Sequence, residues 1–191
     1  MKGIYIFLAE GFEDMEALGT RDVLLRGGVP VKTVSITDAY DVESSHGLTV
    51  FADMNRADFQ EILTQEGTSR DDVMIFPGGM PGSRHLAEDH DLMEVMKAHY
   101  GRGGAVAAIC AAPGLVASQL SPLSGKRFTC FDGFEAPMQA KGAVFTGESA
   151  VVDGGLITGR GAGHAVNFGL AILRYLKGDE AVEKVRSGLM L

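Results

Sequence analysis

Ala105-Val106-Ala107-Ala108-Ile109-Cys110-Ala111-Ala112-Pro113 is the stretch that decides the fold. Five small or apolar residues in a row, without polar alternation, predict a strand buried on both faces, as in a parallel sheet covered by helices. Pro113 suits the first turn of a following helix, where its missing N–H costs little. Strand, one residue, helix is the logic of a nucleophile elbow. The G-x-S-x-G form of that elbow needs small residues two places either side of the nucleophile, because larger side chains collide with the turn. Ala108 and Ala112 meet that need around Cys110. A helix N-terminus behind the sulfur predicts a lowered thiol pKa and a share of thiolate. A buried structural cysteine accounts for the same local sequence.

The alternation of strand and helix repeats on both sides. Residues 4–9 are a continuous apolar run, 72–76 is another buried strand, and 31–36 is a further strand. Helical spacing runs over 13–26, with Met15, Leu18, Val23 and Leu24 on one face and Gly27-Gly28 as the stop. Residues 58–63, 86–100, 111–119, 165–176 and 180–185 also have helical character. Residues 48–51 suggest an edge pair, with 128–130 and 150–158 as later strands. This pattern predicts an α/β fold, a doubly wound and largely parallel sheet with helices on both faces, in one domain over 1–191. Such sheets carry their sites at the carboxyl ends of the strands. Cys110, Gly78-Gly79 and the segment 10–16 all follow predicted strands, so they should meet on one edge.

Glu16 is the second candidate. An acid on an apolar helical face just after the first strand can point toward the strand ends. Buried there it should stay protonated, because desolvation disfavours the charged form. It could then donate a hydrogen bond to a thiolate and move protons. The alternative is a solvated acid like Glu13 and Asp14. Gly78 and Gly79 let backbone N–H groups approach a reacting centre, and with the N–H of Ala111 they could form an oxyanion hole. A plain tight turn also uses glycine. Gly159-Arg160-Gly161-Ala162-Gly163 could cradle an anion, but it is no dinucleotide fingerprint. The five histidines show no ligand spacing, so no metal is expected. His164, beside the glycine loop, is the best second base and equally a capping or surface residue.

Seventeen Lys and Arg against 25 Asp and Glu leave a net charge of −8 and no basic stripe, which disfavours nucleic acid. Two cysteines, Cys110 and Cys130, make no disulfide framework, so a reducing cytoplasm is expected. The apolar start stops at Glu10, short of a signal peptide, and no run approaches the roughly 18 residues a membrane helix needs.

Residues 9–16 (AEGFEDME), 76–79 (FPGG), 108–113 (AICAAP) and 158–163 (TGRGAG) together resemble the DJ-1/ThiJ/PfpI family, in family order and spacing across nearly the whole chain. The resemblance implies a flavodoxin-like sandwich, usually a homodimer, with no cofactor. It places the reactive cysteine on Cys110, its partner acid on Glu16 and the oxyanion glycines on Gly78 and Gly79. Arg160 and Gly161 match a loop near the dimer contact, and Arg26 an arginine near that interface. Departures are informative. The protease-like branch has histidine directly after the cysteine, where this chain has Ala111, which argues against a peptidase. Asp132 stands where close members carry proline, and Cys130 where the animal branch has histidine. That second thiol suggests a redox role or, preferably, an apolar wall.

The resemblance implies a glyoxalase or deglycase acting, without glutathione, on a small 2-oxoaldehyde or a glycated protein. The alternative is a redox sensor or protective chaperone in which Cys110 is oxidised to sulfinic acid and Glu16 holds the product. Nothing in the chain resembles a thiamine-precursor site, despite the thiazole label attached to the ThiJ name.

Overall fold

The computed structural model describes residues 3–191. Met1 and Lys2, the start of the apolar run weighed against a signal peptide, lie outside the described residues. The apolar runs become the central strands β1 (Ile4–Leu8), β5 (Val73–Phe76) and β6 (Ala105–Ile109), every residue of which is buried. Between them come β2 (Val31–Ser35), β3 (Asp41–Glu43) and β4 (Thr49–Phe51). After them come β7 (Arg127–Phe128), β8 (Val144–Phe145), β9 (Ala150–Asp153) and β10 (Leu156–Gly159). The main sheet runs β2-β1-β5-β6-β10-β9, parallel except for β9, which pairs antiparallel with β10. Its five parallel strands have the flavodoxin-like order, and the strand order reverses between β1 and β5. Loops leaving the carboxyl ends there are joined by backbone hydrogen bonds, Glu13 N–H to Gly78 O at 3.0 Å and Gly82 N–H to Gly11 O at 3.2 Å.

Helices cover both faces. A π-turn (Met15–Gly19) leads into α1 (Thr20–Arg26), and α2 spans Arg56–Glu66 behind an Asn55 capping box. Then follow α3 (Gly82–Glu88), α4 (His90–Gly101), α5 (Ala112–Leu115), α6 (Ala136–Gln139) and α7 (Ala165–Gly188), the last kinked at Gly178. Alternate residues of β1 serve opposite cores. Tyr5 and Phe7 face the α2 and α4 side, where Phe7 stacks on Phe76 at 5.3 Å. Ile4, Ile6 and Leu8 face α1 and α7. At about 1.5–3 kcal/mol per buried large side chain, these two layers hold the strand ends rigid. Among the described residues no helix is long and apolar enough to cross a membrane.

Several expected elements differ, each for a local reason. The helix over 86–100 is two helices broken at Asp89, whose extended backbone lets its carboxylate cap Leu92. The strand over 150–158 is a hairpin turned by Gly154-Gly155. Residues 48–51 pair only with β3, a strand hidden in a polar stretch, and stand apart from the main sheet. Cys130 lies beyond the end of β7 rather than within a strand. Met15 is 57% exposed rather than inward, because the π-turn spends five residues on one turn and rotates it off the apolar face.

Candidate active site

Three loops converge where β1, β5 and β6 end side by side. Phe76 stands opposite Ala108 in register, so the turn after β5 and the turn after β6 leave the sheet at one level. Cys110 sits in that second turn with φ of 65°, a left-handed conformation that a side chain adopts at a cost of roughly 1–2 kcal/mol. Its N–H donates to Gly159 O at 3.0 Å and its carbonyl accepts from Phe131 N at 2.9 Å, which pins the turn on both sides. The sulfur is half-buried.

Glu16 is 1% exposed, carried by the π-turn to the junction of β5 and β6. Its Oε2 accepts from Gly78 N at 2.7 Å. Its Oε1 is buried without a well-aligned hydrogen-bond partner, although thiol and carboxyl interact closely enough to move each other's titration. Burial pushes the Glu16 carboxyl up to about 7, helped by the charge of Glu13 and opposed by the hydrogen bonds from Cys110 and Gly78. The sequence expectation for Cys110 fails here. Burial first, then the charge and hydrogen bond of Glu16, push its thiol up to about 12, against the pull of the Ala111 and Gly79 N–H groups. The helix behind the sulfur is only four residues long, so its dipole is weak. Burial and mutual repulsion thus disfavour negative charge on both groups at once near neutrality.

Gly78 and Gly79 serve different needs. A Cβ on Gly78 would collide with Glu16 Oε2, lie 2.5 Å from Cys110 Cβ and lie 3.0 Å from its sulfur. Gly79 has φ of 91°, and a Cβ there would lie 2.5 Å from both Glu13 N and Gly11 O. The first glycine leaves room between acid and thiol; the second lets two loops pack backbone on backbone. Gly78→Ala is therefore expected to separate Cys110 from Glu16. We expect turnover to fall about 100-fold or more, with stability reduced by about 1–3 kcal/mol from overpacking. Assay and urea melt of one preparation check this, and unchanged turnover would show that the gap is not needed.

The other candidates lie farther out. Arg160 is committed elsewhere: its guanidinium donates to Gly147 O at 2.8 Å and to Asp132 Oδ1 at 2.7 Å, and lies 6.0 Å from the Phe145 ring centre. Asp132, which stands where close members carry proline, is the exposed partner of that pair. Gly161 is buried in extended backbone, and a Cβ there would touch Phe131 at 3.4 Å. His164 is half-buried in a 3-10 turn, its N–H bonded to Gly161 O. Cys130 is fully buried in the apolar layer with Phe128 and Met138, as a wall. Arg26 pairs with Asp22 on the α1 surface.

Two features had no sequence signal. Glu13 is half-buried, and its Oε2 accepts from Glu16 N at 2.7 Å. His46, from the β3–β4 turn, bonds Asp14 at 2.7 Å across 32 residues. Both depend on loop packing that spacing along the chain does not encode.

Comparison with known proteins finds relatives that match nearly the whole chain. Residues 2–175 match the model of the DJ-1/PfpI family. The chain is 32% identical over 190 residues to the Drosophila melanogaster protein dj-1beta, covering 100% of this chain and 97% of the other. It is 29% identical to a Caenorhabditis elegans protein named glutathione-independent glyoxalase DJR-1.2, covering 95% and 92% respectively. Toxoplasma gondii DJ-1, solved in an oxidized form, matches with a TM-score of 0.86 at 26% identity over 98% of this chain and 97% of that one.

Proposed function

Because the chain belongs to the DJ-1/PfpI family, we propose that it converts small 2-oxoaldehydes to 2-hydroxy acids without glutathione, and removes the same aldehydes from protein adducts. One observation carries this reading: a buried carboxyl and a thiol face each other across a gap kept open by Gly78. A relative named as a glutathione-independent glyoxalase supports it.

With methylglyoxal the steps balance as follows. The Cys110 sulfur bonds to the aldehyde carbon while its proton passes to the Glu16 carboxylate. The new oxyanion is held by the N–H groups of Gly79 and Ala111 and takes that proton. Glu16 then carries the proton on the former aldehyde carbon to the neighbouring carbonyl carbon, while the hydroxyl proton passes from the first oxygen to the second. The first carbon is oxidised and the second reduced by the same electron pair, leaving a thioester. Water cleaves the thioester to lactate and restores the thiol. Glu16, poised at about 7, accepts and returns protons near neutrality. The charged groups acting on the pair are acidic, so neutral aldehydes are the fitting substrates.

The redox-sensor alternative uses the same residues and finds support in the oxidized relative. A homodimer, implied by the resemblance, and a cytoplasmic setting, expected from the two cysteines, belong to the same proposal. A panel of aldehydes, glycated peptides and unmodified peptides tests it on native protein and Cys110→Ala. Expected are lactate from methylglyoxal that is lost in Cys110→Ala, and no cleavage of unmodified peptides by either protein. Sulfinate formation under mild peroxide without turnover would replace the enzyme with the sensor.

A further inference from the structure

Glu13 stands one turn before Glu16 and is tied to the site from both ends. Its N–H donates to Gly78 O at 3.0 Å, while its carboxylate accepts from Glu16 N at 2.7 Å. Gly78 in turn donates to Glu16 Oε2. Three hydrogen bonds therefore close a ring through Glu13, Glu16 and the turn after β5. The acceptor that caps Glu16 is itself an acid, where serine, threonine, aspartate or asparagine would cap as well or better. A glutamate there adds a fixed negative charge beside a carboxyl that faces a thiol.

We propose that Glu13 is a positioning residue that sets Glu16 against Cys110 and, through its charge, makes the Glu16 carboxylate a better acceptor for the thiol's proton. This rests on the reading of Cys110 and Glu16 as a reacting pair. Like charges close together disfavour a second ionisation, and the charge of Glu13 is among the causes that raise Glu16. The other titratable groups near this ring are few. Cys110 faces Glu16 from the β6 turn, and His164 belongs to the 3-10 turn packed against the π-turn. On the outer side Asp14 and His46 are bonded to each other.

Two variants separate the roles. Glu13→Gln keeps an acceptor for the Glu16 N–H and removes the charge, whereas Glu13→Ala removes both. The readout that needs no substrate is the pH dependence of Cys110 alkylation by iodoacetamide, followed by mass spectrometry, with Glu16→Gln marking the inflection that belongs to Glu16. In Glu13→Gln that inflection should move to lower pH by about half a unit or more, with the plateau rate kept within about twofold. Glu13→Ala should show the same movement and a plateau lowered several-fold, partly restored in Glu13→Gln. An inflection that stays in place in Glu13→Gln overturns the proposal, as does a native profile with no inflection removed by Glu16→Gln. If the inflection moves but no variant, nor the native protein, makes lactate, the role of Glu13 stands and the glyoxalase reading falls.

Discussion

Replacing Cys110 with serine is expected to lower lactate formation from methylglyoxal by about 1,000-fold or more while leaving the fold intact. The hydroxyl occupies nearly the same space and keeps the pinned turn, whose carbonyl and N–H are bonded through the backbone. The left-handed strain at this position is shared by any residue with a side chain, so serine adds none. What changes is the acid strength of the nucleophile. A thiol, even one pushed up by burial, gives its proton to an adjacent carboxylate far more readily than an alcohol does, and thiolate is the better nucleophile. Steady-state lactate release and a urea melt of the same preparation measure both halves of the claim. Turnover within tenfold of native would mean that the sulfur forms no bond to substrate.

Glu16→Gln is expected to lose turnover by about 100-fold or more and yet make the protein more stable above neutral pH. The sign follows from the direction of the shift. The folded carboxyl titrates at about 7 against 4.5 for the model group, so the folded chain holds a proton that the unfolded chain has released. That contribution is full below about 4.5 and is lost as pH rises through 7. At about 1.4 kcal/mol for each tenfold change in proton affinity, ionising this buried acid costs the fold about 3 kcal/mol at pH 8. Glutamine never ionises and still offers an oxygen to Gly78 N. For a chain of this size the variant should therefore melt about 6–12 °C higher at pH 8, with the gap closing toward pH 4.5. Parallel stability curves for native and variant from pH 4.5 to 8 would refute a protonated Glu16.

The sequence revealed those parts of the molecule whose cause is local. β1, β5 and β6 announce themselves as unbroken apolar runs because both faces of the sheet are covered. The elbow at Cys110 is visible because Ala108 and Ala112 must be small. Glu16 is visible as an acid on an apolar face, and its neighbour Gly78 as a glycine ending a strand. What stayed hidden is set by packing at a distance. The break at Asp89 depends on an aspartate capping its own downstream helix, which apolar periodicity does not register. The π-turn exposes Met15 although its spacing is regular. Glu13 resembles any surface acid until the turn after β5 is laid against it. The titration of Cys110 departs from the sequence expectation for the same reason: the dipole of a following helix can be guessed from sequence, but burial and a carboxylate brought from 94 positions away cannot.

Cys130, sealed among Phe128 and Met138, gives the molecule a built-in clock. A bulky thiol reagent that reacts with Cys130 can reach it only while the layer over it is open, so the labelling rate at that one sulfur counts how often the layer around α5 and α6 comes apart. Ligands that bind beside Cys110 and hold this layer closed would slow that count without touching the sulfur.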